Sequence, residues 1–463
     1  MNYKLFGFII AACMLLGGIP FSYYCYKTKP NAELLIKNGT VITMNPARNI
    51  IQDGAVVIRG DSIIAVGPTD KLTQQYTAAK TIDAQGGAIL PGFINGHAHT
   101  AMSLLRGVSD DTALEEWLQH HIFPLEKKYA SPDFVYWGTM LGCLEMLQSG
   151  VTTLVDMYLY EDAAARAFDA MGIRAIAGYG IVSQEDLDHA QIFIKKWHTH
   201  KLVTPAPAPH SPYATSTQIL IDAKKIADLY QLPITSHVAE TATEVATIQK
   251  KYGKRPVEYL ASIGFLGKNL IAAHVIQVND QEIDLLKQHG VGIIHNPTSN
   301  MKLASGIADV TTMLKKGLLV GLGTDSAASN NALSMLAEIK LAALLQKVST
   351  HDARALSAET ALELATIRGA QAIHKEHEIG SLEVGKKADI IIISLKHLHQ
   401  KPIYNIISQI VYASEASDID TVIINGKLLM HQRAFTYPAA QIESIHAHAN
   451  SYAARIRNDL TVR

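Results

Sequence analysis

Two histidines at a strand-like spacing are the residues of this sequence with the clearest chemical potential. His97 and His99 follow an apolar run at 88–90 and a Pro91-Gly92 break. On a β-strand, residues i and i+2 point to the same side, so both imidazoles would face one point. Such a pair suits a borderline metal such as zinc, or a ferrous ion. Because the chain carries 20 histidines, one pair is weak evidence by itself, and the sites downstream decide its interpretation.

Polar or aromatic residues end a series of apolar segments further along the chain. The predicted strand ends are His97, Asp156, Tyr179, His210, His237, His274, His295 and Asp325, and a helical stretch follows each strand. Buried strands that alternate with helices predict a parallel sheet covered on both faces. Eight such units predict a (β/α)8 TIM-like barrel, in which polar side chains at the carboxyl ends of the strands are expected to be catalytic.

Short β-strands flank this barrel on both sides. Residues 31–90 and 376–440 combine apolar strands with turn signals, among them an Asn38-Gly39 hairpin signal. These flanks predict a small β-sandwich domain built from both chain ends, around a barrel at 91–375. A C-terminal helix is expected at 441–463.

The first 30 residues form a separate unit in the sequence. Residues 5–24 are almost wholly apolar, about the 20 residues that a membrane-spanning helix needs. No small-x-small cleavage pattern follows them, so we expect an uncleaved membrane anchor in 1–30. Export after signal cleavage is the alternative.

Composition excludes several other classes of protein. A hydrophobic fraction of 48% and a charged fraction of 18% are typical of a globular protein. A net charge of −1 without long runs of one sign argues against a nucleic-acid partner. With 3 cysteines and no Cys-x-x-Cys pair, neither a disulfide framework nor a cysteine zinc site is expected.

A metal centre explains the histidine-rich strand ends better than independent structural roles do. His97, His99, His237 and Asp325 would supply the ligands of one divalent ion, with zinc favoured and iron as the alternative. Glu240 follows His237 by three residues, where it could accept a proton from water. Taken alone, Asp325 could cap the next helix and Glu240 could begin one. Those readings are weaker because five of the eight strand ends are histidine.

Several motifs between residue 33 and the C-terminus resemble those of one known protein family. They include Pro91-Gly-Phe-Ile-Asn-Gly-His-Ala-His99, Leu104-Leu-Arg-Gly107, Pro209-His-Ser-Pro-Tyr213, His237-Val-Ala-Glu-Thr241, His295-Asn-Pro-Thr-Ser-Asn-Met-Lys-Leu303 and Gly323-Thr-Asp-Ser-Ala-Ala-Ser-Asn-Asn331. With these motifs the chain resembles the amidohydrolase superfamily. The branch that it resembles contains 5-methylthioadenosine/S-adenosylhomocysteine deaminases and related chlorohydrolases.

The resemblance implies an enzyme that hydrolyses carbon–nitrogen bonds other than peptide bonds. It implies one divalent metal ion per subunit on the same four ligands, with Glu240, His274 and Asp325 catalytic. Glu126 matches a contact to the ribose and His210 a contact to the adenosine portion, and Glu240 and Asp325 would also contact the substrate. The implied reaction is hydrolytic deamination of an adenosine-type nucleoside, with release of ammonia. The family also makes a homo-oligomer one expected assembly.

One departure from the family bears on the substrate. Tyr179 stands where the deaminases place an arginine, and a second family arginine has no counterpart in the following loop. Loss of a bidentate donor should weaken recognition of an anionic substrate end. The alternatives are a hydrolase of another N-heterocycle (guanine, cytosine or a chlorotriazine) and a non-catalytic ligand-binding relative.

Overall fold

The computed structural model describes residues 31–461 of the chain. The strands are β1 (Asn31–Ile42), β2 (Ile50–Arg59), β3 (Ser62–Pro68), β4 (Thr77–Asp83), β5 (Ala88–Pro91), β6 (Phe93–Ala98), β7 (Val151–Tyr158), β8 (Arg174–Ile181), β9 (Val203–Pro209), β10 (Ile234–Val238), β11 (Leu270–His274), β12 (Gly292–His295), β13 (Leu319–Leu322), β14 (Ile390–Ile393), β15 (Ile419–Ile424), β16 (Lys427–His431) and β17 (Ala434–Phe435).

The helices cover the barrel and close the chain. The α-helices are α1 (Thr69–Gln75), α2 (Leu114–Glu116), α3 (Phe123–Tyr129), α4 (Pro132–Gln148), α5 (Glu161–Met171), α6 (Gln184–Trp197), α7 (Thr217–Tyr230), α8 (Ala242–Tyr252), α9 (Pro256–Ser262), α10 (Asp280–His289), α11 (Pro297–Lys302), α12 (Val310–Lys316), α13 (Ala327–Asn330), α14 (Met335–Thr350), α15 (Ala358–Leu364), α16 (Ile367–Ala372), α17 (Ile406–Tyr412) and α18 (Ala439–Thr461). Short 3-10 segments occur at Thr100–Leu105, Leu398–Gln400 and Ala416–Asp418, and a π-helical segment at Trp117–Ile122.

Eight parallel strands form a closed barrel. They pair as two arcs, β6 to β9 and β10 to β13. One seam between the arcs is bridged by the His237 N–H, which donates to the carbonyl oxygen of His210 at 3.0 Å. At the other seam the Asp325 N–H donates to the carbonyl oxygen of His97 at 2.9 Å, beside a parallel bridge of Ala98 with Asp325. The predicted barrel is confirmed.

The barrel interior is filled by aliphatic side chains, with one or two contributed by most strands. Ile94, Val155, Ile176, Ile271 and Ile294 pack into one buried cluster. Each strand is buried on both faces, because helices cover the outer side. That explains why these segments are nearly continuous apolar runs rather than alternating ones.

A nine-stranded sheet built from both chain ends accompanies the barrel. Its order is β17-β16-β15-β14-β5-β1-β2-β3, with β4 paired to β1. The N-terminal and C-terminal flanks meet where β5 pairs antiparallel with β14. Side chains from β1 to β5 and from β14 and β15 enclose one apolar core. This domain confirms the second part of the predicted fold class.

The predicted hairpin at Asn38-Gly39 is wrong. β1 runs through both residues, and a bulge lies between the pairs Ile36–Val56 and Gly39–Gly54. Asn38 adopts the left-handed φ of 59° that an Asn-Gly turn would also use. A Cβ atom at position 39 would lie 2.8 Å from the carbonyl oxygen of Gly87. The adjacent backbone therefore leaves room for glycine and not for a larger residue.

The C-terminal helix α18 lies across α4. The rings of Phe134 and Tyr452 meet edge to face at 5.2 Å, and those of Trp137 and His448 stack at 3.7 Å. Asp133 accepts a hydrogen bond from the Tyr452 hydroxyl at 2.7 Å. The last helix is therefore fixed to the barrel through α4.

Within residues 31–461 no helix is long and apolar enough to cross a bilayer. The predicted localisation, a membrane anchor or an exported chain, is therefore wrong. The longest of these helices, α18, spans 23 residues but carries charged side chains such as Glu443 and Arg455, which a bilayer core disfavours. The apolar run at 5–24, on which the anchor prediction rested, lies outside the described residues.

A buried ion pair joins the base of the barrel to the sheet domain. Arg174 begins β8, and its Nε lies 2.7 Å from Oδ2 of Asp389 while its Nη2 lies 3.1 Å from Oδ1. Asp389 also accepts a hydrogen bond from the Asn425 N–H at 2.7 Å. Both charged side chains are almost fully buried. Removal of either partner would leave an uncompensated charge between the two domains.

We expect Arg174→Met to lower the free energy of unfolding by about 3–5 kcal/mol, because Asp389 would stay buried without its partner. Urea unfolding followed by circular dichroism measures this change. The matched control is Arg354→Met, since the Arg354 side chain is 91% exposed and pairs with nearby Asp352. A similar effect of both substitutions would contradict a special role for the buried pair.

Candidate metal centre and active site

A bulge in β6 turns the two histidines of the first strand into the barrel mouth. Ile94 belongs to the interior cluster, so strict alternation would place Ala98 inside and His97 outside. The register shifts between Asn95 and Ala98, where three residues of β6 span two of β7. This extra residue reverses the alternation, so His97 and His99 face inward with ring centroids 4.9 Å apart.

Four predicted ligands converge on one point at the mouth, and we call them the donor set: His97, His99, His237 and Asp325. Oδ1 of Asp325 lies 3.3 Å from Nε2 of His99 and 3.6 Å from Nε2 of His97. Nε2 of His237 lies 3.3 Å from Nε2 of His99. The structure therefore brings together all of the residues that the sequence proposes as ligands.

Backbone carbonyls fix the ring orientation in two members of the donor set. Nδ1 of His99 donates to the carbonyl oxygen of Met157, and Nδ1 of His237 donates to that of His210 at 2.8 Å. Each ring then presents its Nε2 to the other, 3.3 Å away. Such backbone contacts commonly orient metal-binding histidines.

The buried ring of His97 supports the same conclusion. Neither of its nitrogens has a hydrogen-bond partner among the described residues, and the ring is fully buried. Burial lowers the pKa of His97 well below its usual value, and the nearby His99 adds to the effect. A neutral buried imidazole with a free lone pair is a good metal ligand. Three imidazoles and a carboxylate suit zinc or another divalent transition metal.

Serine hydroxyls hold the carboxylate of the donor set. Oδ2 of Asp325 accepts hydrogen bonds from Ser299 Oγ at 2.6 Å and from Ser329 Oγ at 3.2 Å. The Ser326 N–H donates to Oδ1 at 2.8 Å. Burial opposes ionisation of Asp325, but His99 more than offsets it and holds the pKa well below its usual range. Asp325 is therefore a carboxylate with one fixed orientation.

Glu240 lies at the mouth on a backbone that another carboxylate fixes. Ala239 has a left-handed φ of 52°. Glu244 in α8 accepts the Ala239 N–H at 2.9 Å and the Glu240 N–H at 2.8 Å. Oε1 of Glu240 accepts a hydrogen bond from Ser305 Oγ at 3.0 Å. Burial raises the pKa of Glu240, which brings it closer to the value that a proton-transferring group needs.

His274 faces Glu240 across the mouth. Its Nε2 lies 3.8 Å from Oε2 of Glu240, and its ring centroid lies 5.5 Å from that of His97. A left-handed φ of 71° at the end of β11 turns the ring inward. Nδ1 of His274 donates to Oδ1 of Asn300 at 2.8 Å, which leaves Nε2 for the site.

The two predicted substrate contacts lie beside the donor set. The ring of His210 is 4.7 Å from that of His237, and burial lowers the pKa of His210 to about 4. Oε1 of Glu126 accepts a hydrogen bond from the Tyr158 hydroxyl at 2.7 Å, and the Tyr158 ring lies 6.4 Å from that of His99. Burial raises the pKa of Glu126. His210 therefore lies against a ring of the donor set, and Tyr158 lies between Glu126 and His99.

Five of the eight predicted strand ends lie outside the donor set, and Asp156 and His295 are two of them. Oδ1 of Asp156 accepts from the Thr100 N–H and from Thr100 Oγ1, both at 2.7 Å, and so fixes the segment that follows β6. His295 is buried at the end of β12 outside the groups that could hold a metal among residues 31–461.

The sequence patterns do not single out Glu244, Ser299, Asn300 or Ser305, although each holds a functional side chain or its backbone. Signals for some of them exist. Glu244 follows Glu240 by one helical turn, and Ser299 and Asn300 lie in the motif that begins at His295. Their roles depend on partners that lie far away in the sequence.

Comparison with known proteins shows the family of the chain. The model of the Amidohydrolase family matches residues 88–429. The chain belongs to the amidohydrolase family. A shorter match, to an imidazolonepropionase-like composite domain of bacteria, covers residues 54–79.

Similar proteins extend over most of the chain. It is 43% identical to a 5-methylthioadenosine/S-adenosylhomocysteine deaminase of Syntrophobacter fumaroxidans, over 87% of this chain and 94% of that protein. It is 41% identical to a 5'-deoxyadenosine deaminase of Methanosarcina acetivorans, over 86% and 93% respectively. The crystal structure of an adenosine deaminase from Xanthomonas campestris with bound zinc superimposes with a TM-score of 0.91 at 35% identity, covering 93% of this chain and 100% of that one.

We expect Ser299→Ala to weaken binding of a divalent metal ion about 10-fold or more, because Asp325 would lose its shortest hydrogen bond. Competition with a fluorescent zinc chelator measures the affinity. The control is Ser262→Ala, since Ser262 Oγ donates to the Tyr259 carbonyl in α9 and contacts no member of the donor set. Equal zinc affinity in both variants would contradict the role of Ser299 in orienting Asp325.

Proposed function

We propose that this amidohydrolase is a metal-dependent deaminase that hydrolyses adenosine-type nucleosides and releases ammonia. The observation that carries the proposal is the pair of Glu240 and His274, which face each other across the donor set at 3.8 Å. A metal site accompanied by a buried acid–base pair is suited to hydrolysis. The names of the relatives support a nucleoside as the substrate.

One divalent ion per subunit would be held by His97, His99, His237 and Asp325. Zinc is favoured by the zinc-containing relative, with iron as the alternative. When bound, the ion would lower the pKa of a water molecule to about 7, which makes hydroxide available near neutral pH.

Glu240 would transfer the proton. Its carboxylate accepts the proton of the attacking water and delivers it to a ring nitrogen of the purine. The Ser305 hydrogen bond to Oε1 leaves Oε2 free for this transfer. The carbon–amine bond then breaks as the added oxygen becomes the ring carbonyl, and the remaining proton of that oxygen passes to the amine, which leaves as ammonia. Glu244 would act as a positioning residue, because it fixes the backbone of Glu240 and does not reach the reacting atoms.

His274 would stabilise charge on the attacking oxygen. Nδ1–H of His274 donates a hydrogen bond to the side-chain Oδ1 of Asn300, so Nε2 of the neutral ring can accept a hydrogen bond from water. On protonation it would donate to the same oxygen once negative charge develops there.

Glu126 and His210 would orient the nucleoside. A carboxylate pairs well with ribose hydroxyl groups, and Glu126 has a free Oε2 for them while Oε1 is bound to Tyr158. His210 stays neutral at physiological pH, because burial holds its pKa at about 4. A neutral imidazole can exchange hydrogen bonds with the adenosine portion without introducing a charge.

The sugar tail that fits best is uncharged. Tyr179 lies half-buried in β8, where the related deaminases would place an arginine. Burial and then the carboxylates of Asp186 and Glu161 raise the pKa of Tyr179 to about 12. A substrate carboxylate would meet a neutral phenol there instead of a cation. We therefore favour 5-methylthioadenosine, 5'-deoxyadenosine and adenosine over S-adenosylhomocysteine.

The reaction is tested by ammonia release from the zinc-loaded protein. We expect turnover of adenosine, 5-methylthioadenosine and S-adenosylhomocysteine, and not of guanine or cytosine. Glu240→Gln should lower kcat about 10²- to 10⁴-fold, because the amide cannot take up a proton. Its zinc content should stay unchanged.

The control for that experiment is Glu443→Gln, an exposed position in α18, which should keep full activity. Activity on a chlorotriazine without ammonia release from any nucleoside would overturn the deaminase proposal. It would leave the metal centre intact.

The tail preference is tested by Tyr179→Arg. We expect the kcat/KM ratio of S-adenosylhomocysteine to 5-methylthioadenosine to rise about 10-fold, since a hydrogen bond between charged groups contributes about 1.5–3 kcal/mol. Initial rates with both substrates give the ratio. Tyr179→Phe, which keeps the ring and adds no charge, should leave it unchanged. A ratio that does not respond to arginine would exclude position 179 from the tail pocket.

A further inference from the structure

A second group of metal-ligating side chains lies outside the barrel mouth. We call it the surface triad: His397, His399 and Asp418. The two histidines follow β14, and Asp418 closes the short helix Ala416–Asp418 before β15. None of these residues belongs to the donor set, and the proposed deamination does not use them.

The surface triad has the ligands and the access that a metal site needs. Nδ1 of His397 lies 2.6 Å from Oδ1 of Asp418, and Nε2 of His399 lies 2.9 Å from Oδ2. The two imidazole rings lie side by side, with centroids 5.7 Å apart and an angle of 26° between them. Their side chains are 49% and 42% exposed, so an ion can reach them from solvent.

Hydrogen bonds from neighbouring groups fix the carboxylate of the surface triad. Asp418 is fully buried, although both histidines are exposed. Its Oδ2 accepts hydrogen bonds from Gln400 Nε2 at 2.6 Å and from the Glu415 N–H at 2.9 Å. Gln400 is itself buried and bound to Ser414 through the same nitrogen at 3.1 Å. A buried, oriented carboxylate next to two accessible imidazoles is thus preformed.

We propose that the surface triad binds a divalent transition metal ion, separately from the catalytic centre. Two histidines and one carboxylate leave open positions for water and suit zinc, nickel or copper. On binding, the ring nitrogen that faces Asp418 must offer a lone pair to the ion, so a neutral ring carries its proton on the other ring nitrogen and a protonated ring releases one proton to solvent. The carboxylate and the two neutral rings then coordinate the ion with their lone pairs.

Such an ion would link two segments that flank α17. His397 and His399 belong to the stretch after β14, and Asp418 belongs to the turn before β15. A metal bridge between them would bind the folded chain and not the unfolded one, so it would raise the melting temperature. Because α17 lies between the two segments, its attachment to the barrel would be reinforced.

The test is a zinc titration of the full chain by calorimetry, after the catalytic site has been filled with zinc and excess metal removed. At a pH above the ordinary histidine pKa we expect one additional equivalent. His397→Gln and His399→Gln should each weaken this binding at least about 10-fold. Both variants should lose the increase in melting temperature that zinc gives to the unaltered protein.

His377→Gln is the matched control, because His377 is 93% exposed and pairs with a single acid, Glu376, at 3.5 Å. It should keep the additional equivalent. The proposal is overturned if the unaltered protein takes up no additional zinc, or if the double variant of His397 and His399 takes it up with unchanged affinity. Ammonia release is measured in parallel and should not change in any variant. Failure of the proposed deamination would therefore leave this result unaffected.

Discussion

The hydrogen bond from the Asp325 N–H to the carbonyl oxygen of His97 closes the barrel and assembles the site in one contact. It joins the first barrel strand to the segment after the last one. As a result, a carboxylate from the far end of the chain lies against two histidines from the beginning. The parallel strands of a closed barrel all end at the same mouth, so His237 and His274, at the carboxyl ends of β10 and β11, lie close to the same point. The ligand geometry thus depends on closure of the fold rather than on any local motif.

Three residues at the barrel mouth adopt unfavourable backbone conformations, and hydrogen bonds from the surrounding structure offset the cost. Ala239, His274 and Asp325 all adopt left-handed φ angles between 52° and 71°, and each such residue costs of order 1–3 kcal/mol. At Ala239 and Glu240 the Glu244 carboxylate accepts two backbone N–H groups, and around Asp325 three hydroxyl or amide donors satisfy the carboxylate. The strain therefore lies where side chains must be turned against the regular strand pattern, and buried hydrogen bonds hold it there.

The sequence predicts the barrel and the donor set because both follow from short-range patterns. Strands buried on both faces are continuous apolar runs, and a histidine at the end of such a run is easily recognised. Other features depend on distant contacts. Asn38-Gly39 carries a strong turn signal, yet the strands packed against it convert the turn into a bulge. Asp156 ends a strand like the ligands, but it bonds to Thr100 instead. The supporting roles of Glu244 and Asn300 become visible only when their partners are known, and the membrane prediction rested on a segment outside the described residues.

The chemistry and the substrate preference depend on different parts of the molecule. The donor set, Glu240 and His274 are held by hydrogen bonds within the mouth, so a change in any of them disturbs the others. Tyr179 packs instead against α6, where its ring lies 5.7 Å from that of Phe193. The sheet domain is attached at the opposite end of the strands, through Arg174 and Asp389. Under the proposed function, a substitution at position 179 would alter the charge offered to the substrate tail, while the donor set, Glu240 and His274 would keep their hydrogen bonds.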